Sequence, residues 1–114
     1  MQGHTILAPL YELADGDETF FAEVLGSMAE NIPLDIDEIE KAIEKGQIDF
    51  ICRSAHHMKS SIMYSDATEL KELLATIEAN KQSPAAINEA KASLPKLKEL
   101  ANQLMLVINS EKKG

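Results

Sequence analysis

A chain of 114 residues with a formal net charge of −8 fits one domain that buries roughly two thirds of its unfolded surface, with no need of disulfides or metal to hold it. The acidity excludes a nucleic-acid interface, which needs a basic face, and disfavours anionic membrane surfaces. Tryptophan is absent and Cys52 is the only cysteine, so no internal disulfide forms, and Leu, Ile, Ala and Met carry the packing, as suits helices better than strands.

Apolar residues recur at helical spacing along most of the chain, and no period-2 strand pattern stands against them. Pro9 opens a short helix reaching Ala14, since proline is tolerated in a first turn. Asp15-Gly16-Asp17 reads as a turn, with Asp17 as the cap of the next helix. From there the apolar stripe runs Phe21, Val24, Met28, Ile32, Ile36, Ile39 and Ile43. It keeps its phase through Pro33, which favours one long helix, kinked where the proline removes a backbone hydrogen bond, over two helices joined near Pro33. Gly46 is its C-terminal cap.

The following helix, from about Ile48 to Met63, carries Ile48, Ile51, Ala55, Met58 and Ile62 on its core face. Ser65-Asp66 ends it, and Asp66 with Glu69 has the spacing of a capping box. A fourth helix carries Leu70, Leu73, Leu74 and Ile77. Ser83-Pro84 starts the last, as cap and first helical residue. Its stripe is Ile87, Ala90, Leu94, Leu97, Ala101, Leu104 and Ile108, with Pro95 expected to bend it.

The fold expected is all-α: an antiparallel four-helix bundle in a single domain, 1–114, with the Pro9 helix as a short extra N-terminal element over one end and residues 110–114 as a frayed tail. No apolar run approaches the roughly 20 residues that cross a membrane. Met1-Gln2-Gly3-His4 lacks the basic start and apolar core of a secretory signal. The expectation is a cytoplasmic protein with no membrane insertion.

Chemistry concentrates in Arg53-Ser54-Ala55-His56-His57-Met58-Lys59-Ser60-Ser61. On a helix His56, Lys59 and Ser60 are surface neighbours, being three and four residues apart. With Ala55 at the core centre, His56 sits about 100° away on the shoulder of the buried stripe, where neighbouring helices restrain the ring, whereas His57 sits about 160° away, toward solvent and without that support. A neutral imidazole nitrogen is a nucleophile, and an ordinary histidine pKa of about 6.5 leaves much of it neutral near pH 7. Asp49, Cys52, Arg53 and Met63 fall on the same face as candidates for a docking rim.

The run resembles the signature of the histidine-containing phosphotransfer (HPt) domain, roughly Ala-His-x-Leu-Lys-Gly-Ser, which here reads Ala55-His56-His57-Met58-Lys59-Ser60-Ser61. The likeness extends to Leu10–Asp17 before a Phe-containing helix, the Pro33-to-Gly46 amphipathic half and the Leu70-to-Glu78 helix. It departs at Ser60, where the family has glycine, and at Ser65-Asp66-Ala67, where the family often has Leu-Gly-Ala. The resemblance implies that His56 is the phosphoacceptor, with Lys59 and Ser60 as the phosphate environment. It implies that response-regulator receiver domains are the partners, with a hybrid sensor histidine kinase as one source of them. It also implies that magnesium belongs to the receiver, with no cofactor here, and that a monomer suffices.

The chain has no Walker-type run and no glycine-rich kinase loop, so it is expected to carry a phosphoryl group rather than act as an enzyme on ATP. No metal site is expected: adjacent histidines diverge by about 100° on a helix, and Cys52, four residues before His56, supplies no third ligand. The rival reading is a helical interaction module that binds a receiver or another partner without phosphotransfer.

Overall fold

The computed structural model describes residues 5–113. Met1–His4, read above for a secretory signal, and Gly114 lie outside the described residues. A 3-10 turn at Thr5–Leu7 leads into α1 (Ala8–Ala14), followed by α2 (Glu18–Lys45), α3 (Ile48–Ser61), α4 (Thr68–Ala79), a second 3-10 turn (Asn80–Gln82) and α5 (Ala86–Lys113). Among the described residues there is no strand, and no helix is long and apolar enough to cross a membrane. α2 packs against both α3 and α5, α4 packs against the same two helices, and α1 rests on α2. The molecule measures 47 × 19 × 19 Å, a length set by α2 and α5, since 28 residues of helix span about 42 Å.

The caps explain where α2 starts and stops. The Asp17 carboxylate accepts from the Phe20 backbone N–H at 2.9 Å, filling one of the donors that a helix start leaves unpaired. At the other end Gly46 takes a left-handed conformation, φ 66°, and its N–H bonds back to Ala42 and Ile43. A side chain at Gly46 would meet only Ile87 Cδ1, at an ordinary 3.9 Å, so the cost of one is backbone strain alone. Gly46→Ala is therefore expected to lower the unfolding free energy by about 1 kcal/mol, and Gly46→Asn by less. Urea unfolding checks both.

α2 runs unbroken through Pro33, and α5 through Pro95. Burial in α2 follows Leu25, Met28, Ile32, Asp35, Ile39 and Ala42, an alternation of three and four, with Ile43 buried beside the last. Phe21, Val24 and Ile36, which the expected stripe included, are only half-buried beside it. One position on the buried line is an aspartate, 5% exposed. In α3 the buried residues are Ile51, Cys52, Ser54, Ala55 and Met58, with Ile62 just past the helix. α5 buries Ala90, Leu97, Leu100, Ala101, Leu104 and Ile108.

Two local expectations are corrected. Asp66 and Glu69 form no capping box: α4 starts after Ala67 without a side-chain cap, and the Asp66 N–H instead donates to the Ile6 carbonyl. Ser83 does bond the chain after it, accepting from the Ala85 N–H at 3.2 Å, but Ser83-Pro84 makes a turn and α5 begins at Ala86. The tail expected to fray is helical through Lys113. Its last turns are tied down by fully buried Ile108 and by the Tyr11 hydroxyl, which donates to Glu111. Burial first, then the Glu111 carboxylate, pushes the Tyr11 pKa up to about 12. A spectroscopic titration of Tyr64→Phe, which leaves Tyr11 alone to report, should place its midpoint near 12. Glu111→Gln should bring that midpoint down only part of the way, because burial is the larger cause.

Candidate functional site

Burying Ile51, Ala55 and Met58 turns the opposite face of α3 outward, and that face carries both histidines. The His56 side chain is 71% exposed, and its Nδ1 lies 3.3 Å from Glu78 Oε2 on α4. A carboxylate only accepts, so this contact puts the proton on Nδ1 and leaves the Nε2 lone pair free when the ring is neutral. Lys59, one turn on, places its ammonium 3.2 Å from the other oxygen of the same carboxylate. That oxygen is buried and has no hydrogen bond of good angle, so the pairing is ionic. Glu78 thus holds two of the expected site residues together.

The remaining expected residues scatter. Ser60 is exposed and lines a groove of about 350 Å³ between α2 and α3 with His57, Ser61, Tyr64 and Phe20, on the side of the helix away from Glu78. Asp49 is exposed and paired with Lys81 at 3.1 Å. Arg53 is exposed, and Met63 lies beyond the end of α3, also exposed. Cys52 cannot belong to a rim: it is buried against α4, its thiol donating to the Ile77 carbonyl at 3.8 Å. Burial pushes this thiol pKa up, opposed by Lys81 and reinforced by Glu78 and Asp49. A thiolate-selective reagent should therefore modify Cys52 far more slowly in the folded protein than in urea, a difference read directly by mass.

His57 differs from expectation most. It is 65% exposed, yet it has firm support: Nδ1 lies 2.6 Å from Oδ1 of buried Asp35 on α2. The other Asp35 oxygen accepts from the Ser61 hydroxyl, also at 2.6 Å. The wheel angle for His57 is consistent with this exposure, but the angle alone did not reveal a carboxylate on the facing helix within reach. Asp35 and Glu78 are the two site residues that sequence reasoning passed over. Asp35 had a visible signature, a charge three residues after Ile32 and four before Ile39 on one apolar line; Glu78 had none beyond following Ile77. Among the described residues no group of three or more His, Cys, Asp or Glu is placed to hold a metal.

No curated protein and no solved structure matches the chain. The family model of the Hpt domain matches residues 23–105, a stretch that runs from α2 into α5 and contains α3 with both histidines. That match covers most of the chain, and the chain belongs to the Hpt domain family.

Proposed function

We propose that this domain carries a phosphoryl group on His56, accepting it from the aspartyl phosphate of a receiver domain and passing it to another. Hpt domains in general serve as phosphotransfer carriers in phosphorelays, acting with receiver domains of response regulators. What supports His56 here is the bond of its Nδ1 to Glu78, which leaves Nε2 facing outward as the nucleophile. The Nε2 lone pair attacks phosphorus, the P–O bond to the aspartyl carboxylate breaks, and that carboxylate leaves. The proton on Nδ1 stays, and the positive charge the ring gains is met by Glu78.

Lys59 answers the charge on the phosphoryl oxygens. The Lys59–Glu78 pair is only partly shielded from solvent, 36% and 24% exposed, and such a pair is worth about 1 kcal/mol, less than the attraction the charged phosphoryl group offers the ammonium. Ser60, in place of glycine, adds a hydroxyl at the groove edge. The magnesium site and most of the electrostatic catalysis belong to the receiver, since phosphoryl transfer depends on positioning and charge neutralisation. Arg53 and Met63 remain the rim residues for docking. The helices form an antiparallel bundle, as the short connections between them favour. The domain works as a monomer in the cytoplasm, with a hybrid sensor kinase as one source of receivers.

The test is intact mass after brief exposure to a phosphorylated receiver, for wild type, His56→Gln and His57→Gln. A rapid acid-labile gain of one phosphoryl group that collapses in His56→Gln supports the assignment. Collapse in His57→Gln instead moves the acceptor one residue on. Binding of receivers without any gain replaces the relay with a non-transferring interaction module.

A further inference from the structure

His57 is left unused by the relay, yet its surroundings repeat those of His56 on the other side of α3. Each ring bonds through Nδ1 to a carboxylate on a neighbouring helix, Glu78 of α4 for His56 and Asp35 of α2 for His57. Each has a cation one turn away on α3, Lys59 after His56 and Arg53 before His57. Arg53, His57 and Asp35 line one cleft of about 390 Å³ between α2 and α3, with Glu38 as the opposing charge. The His57 contact is the tighter of the two, 2.6 Å against 3.3 Å. Its carboxylate is also the more buried, where a charge-assisted hydrogen bond is strongest.

We propose that His57 Nε2 is a second phosphoryl-acceptor site, presented on the α2–α3 side of the helix. The choice of donor rests on the phosphotransfer reading above: an acyl phosphate of the receiver type. The Nε2–P bond forms as the P–O bond to the acyl group breaks, and the carboxylate leaves with the electron pair. Nδ1 keeps its proton, now on a cationic ring, and Asp35 neutralises that ring through the existing bond. Arg53, which lines the same cleft, supplies the cation for the phosphoryl oxygens. The two histidines reach toward different helices, His56 toward Glu78 on α4 and His57 toward Asp35 on α2.

The test uses phosphoramidate, a small donor whose own P–N bond breaks with release of ammonia, so that it needs no receiver. His56→Gln is treated at neutral pH, in buffer and in denaturing urea, and the acid-labile gain is mapped by fragmentation. His57 is expected to become phosphorylated about tenfold faster in the folded protein than in urea. His56→Gln combined with Asp35→Asn should lose about that factor, the worth of one hydrogen bond to a charged group. No phosphate on His57, a folded rate equal to that in urea, or no effect of Asp35→Asn in a folded protein overturns the proposal. Should the Asp35 variant fail to fold, the comparison with urea decides alone. Failure of wild type to accept from any receiver, with His57 still reactive toward phosphoramidate, sinks the relay and leaves this site standing. The reverse result sinks only this site.

Discussion

Single-turnover transfer from a phosphorylated receiver to His56→Gln is expected to fall by about 10³-fold or more, the scale of removing a nucleophile from a site whose other parts remain. Glutamine keeps a polar side chain of similar reach but has no nucleophilic nitrogen. Since His56 is 71% exposed, the change should move stability by about 0.5 kcal/mol or less, so lost transfer cannot be laid to unfolding. The neighbours grade the effect. Glu78→Gln replaces the group that meets the charge on the phosphorylated ring, and should slow transfer about tenfold. Lys59→Ala should cost a similar factor by removing a point charge from the phosphoryl oxygens. If Glu78→Gln and Lys59→Ala are each neutral while His56→Gln is inactive, the acceptor stands but its surroundings have been misread. What slow uptake remains in His56→Gln should map to His57.

The helices were legible because each apolar line repeats every three to four residues and because Asp17 and Gly46 mark the ends of α2 by side-chain chemistry and by φ. The Ala55–Ser61 run was legible because its spacing sets His56 and Lys59 side by side on one helix. What lies between helices was not. Glu78 reaches His56 from 22 residues away and Asp35 reaches His57 from the same distance on the other side, and no period within one helix reports such a meeting. Cys52 follows the same rule: its wheel angle points toward the rim, but α4 packs against that side of α3 and covers it. Asp35 was the one long-range partner with a trace in the sequence. It occupies a position where Leu25, Met28, Ile32 and Ile39 demand an apolar residue, and a buried charge at such a position implies partners.

That position carries the largest expected change in stability. Asp35 is 5% exposed and spends both oxygens, on the His57 ring and the Ser61 hydroxyl. Two hydrogen bonds to a charged group are worth about 1.5–3 kcal/mol each. Against them stands the desolvation of the carboxylate, several kcal/mol in a protein interior, which its removal relieves. Neither partner is orphaned by the loss, because His57 and Ser61 stay in reach of water. A small void is left on the buried line of α2, and it adds about 1 kcal/mol. The balance predicts that Asp35→Ala destabilises the domain by about 2 kcal/mol. Asp35→Val, which fills the void with an apolar group in register with Ile32 and Ile39, should lie within about 1 kcal/mol of wild type, since apolar replacement of a buried charge is often neutral. Urea unfolding of the two variants separates the contributions. Equal losses would mean that the bonds to α3 hold α2 in place. A loss confined to the alanine variant would mean that packing alone holds it, and that the carboxylate is there for His57.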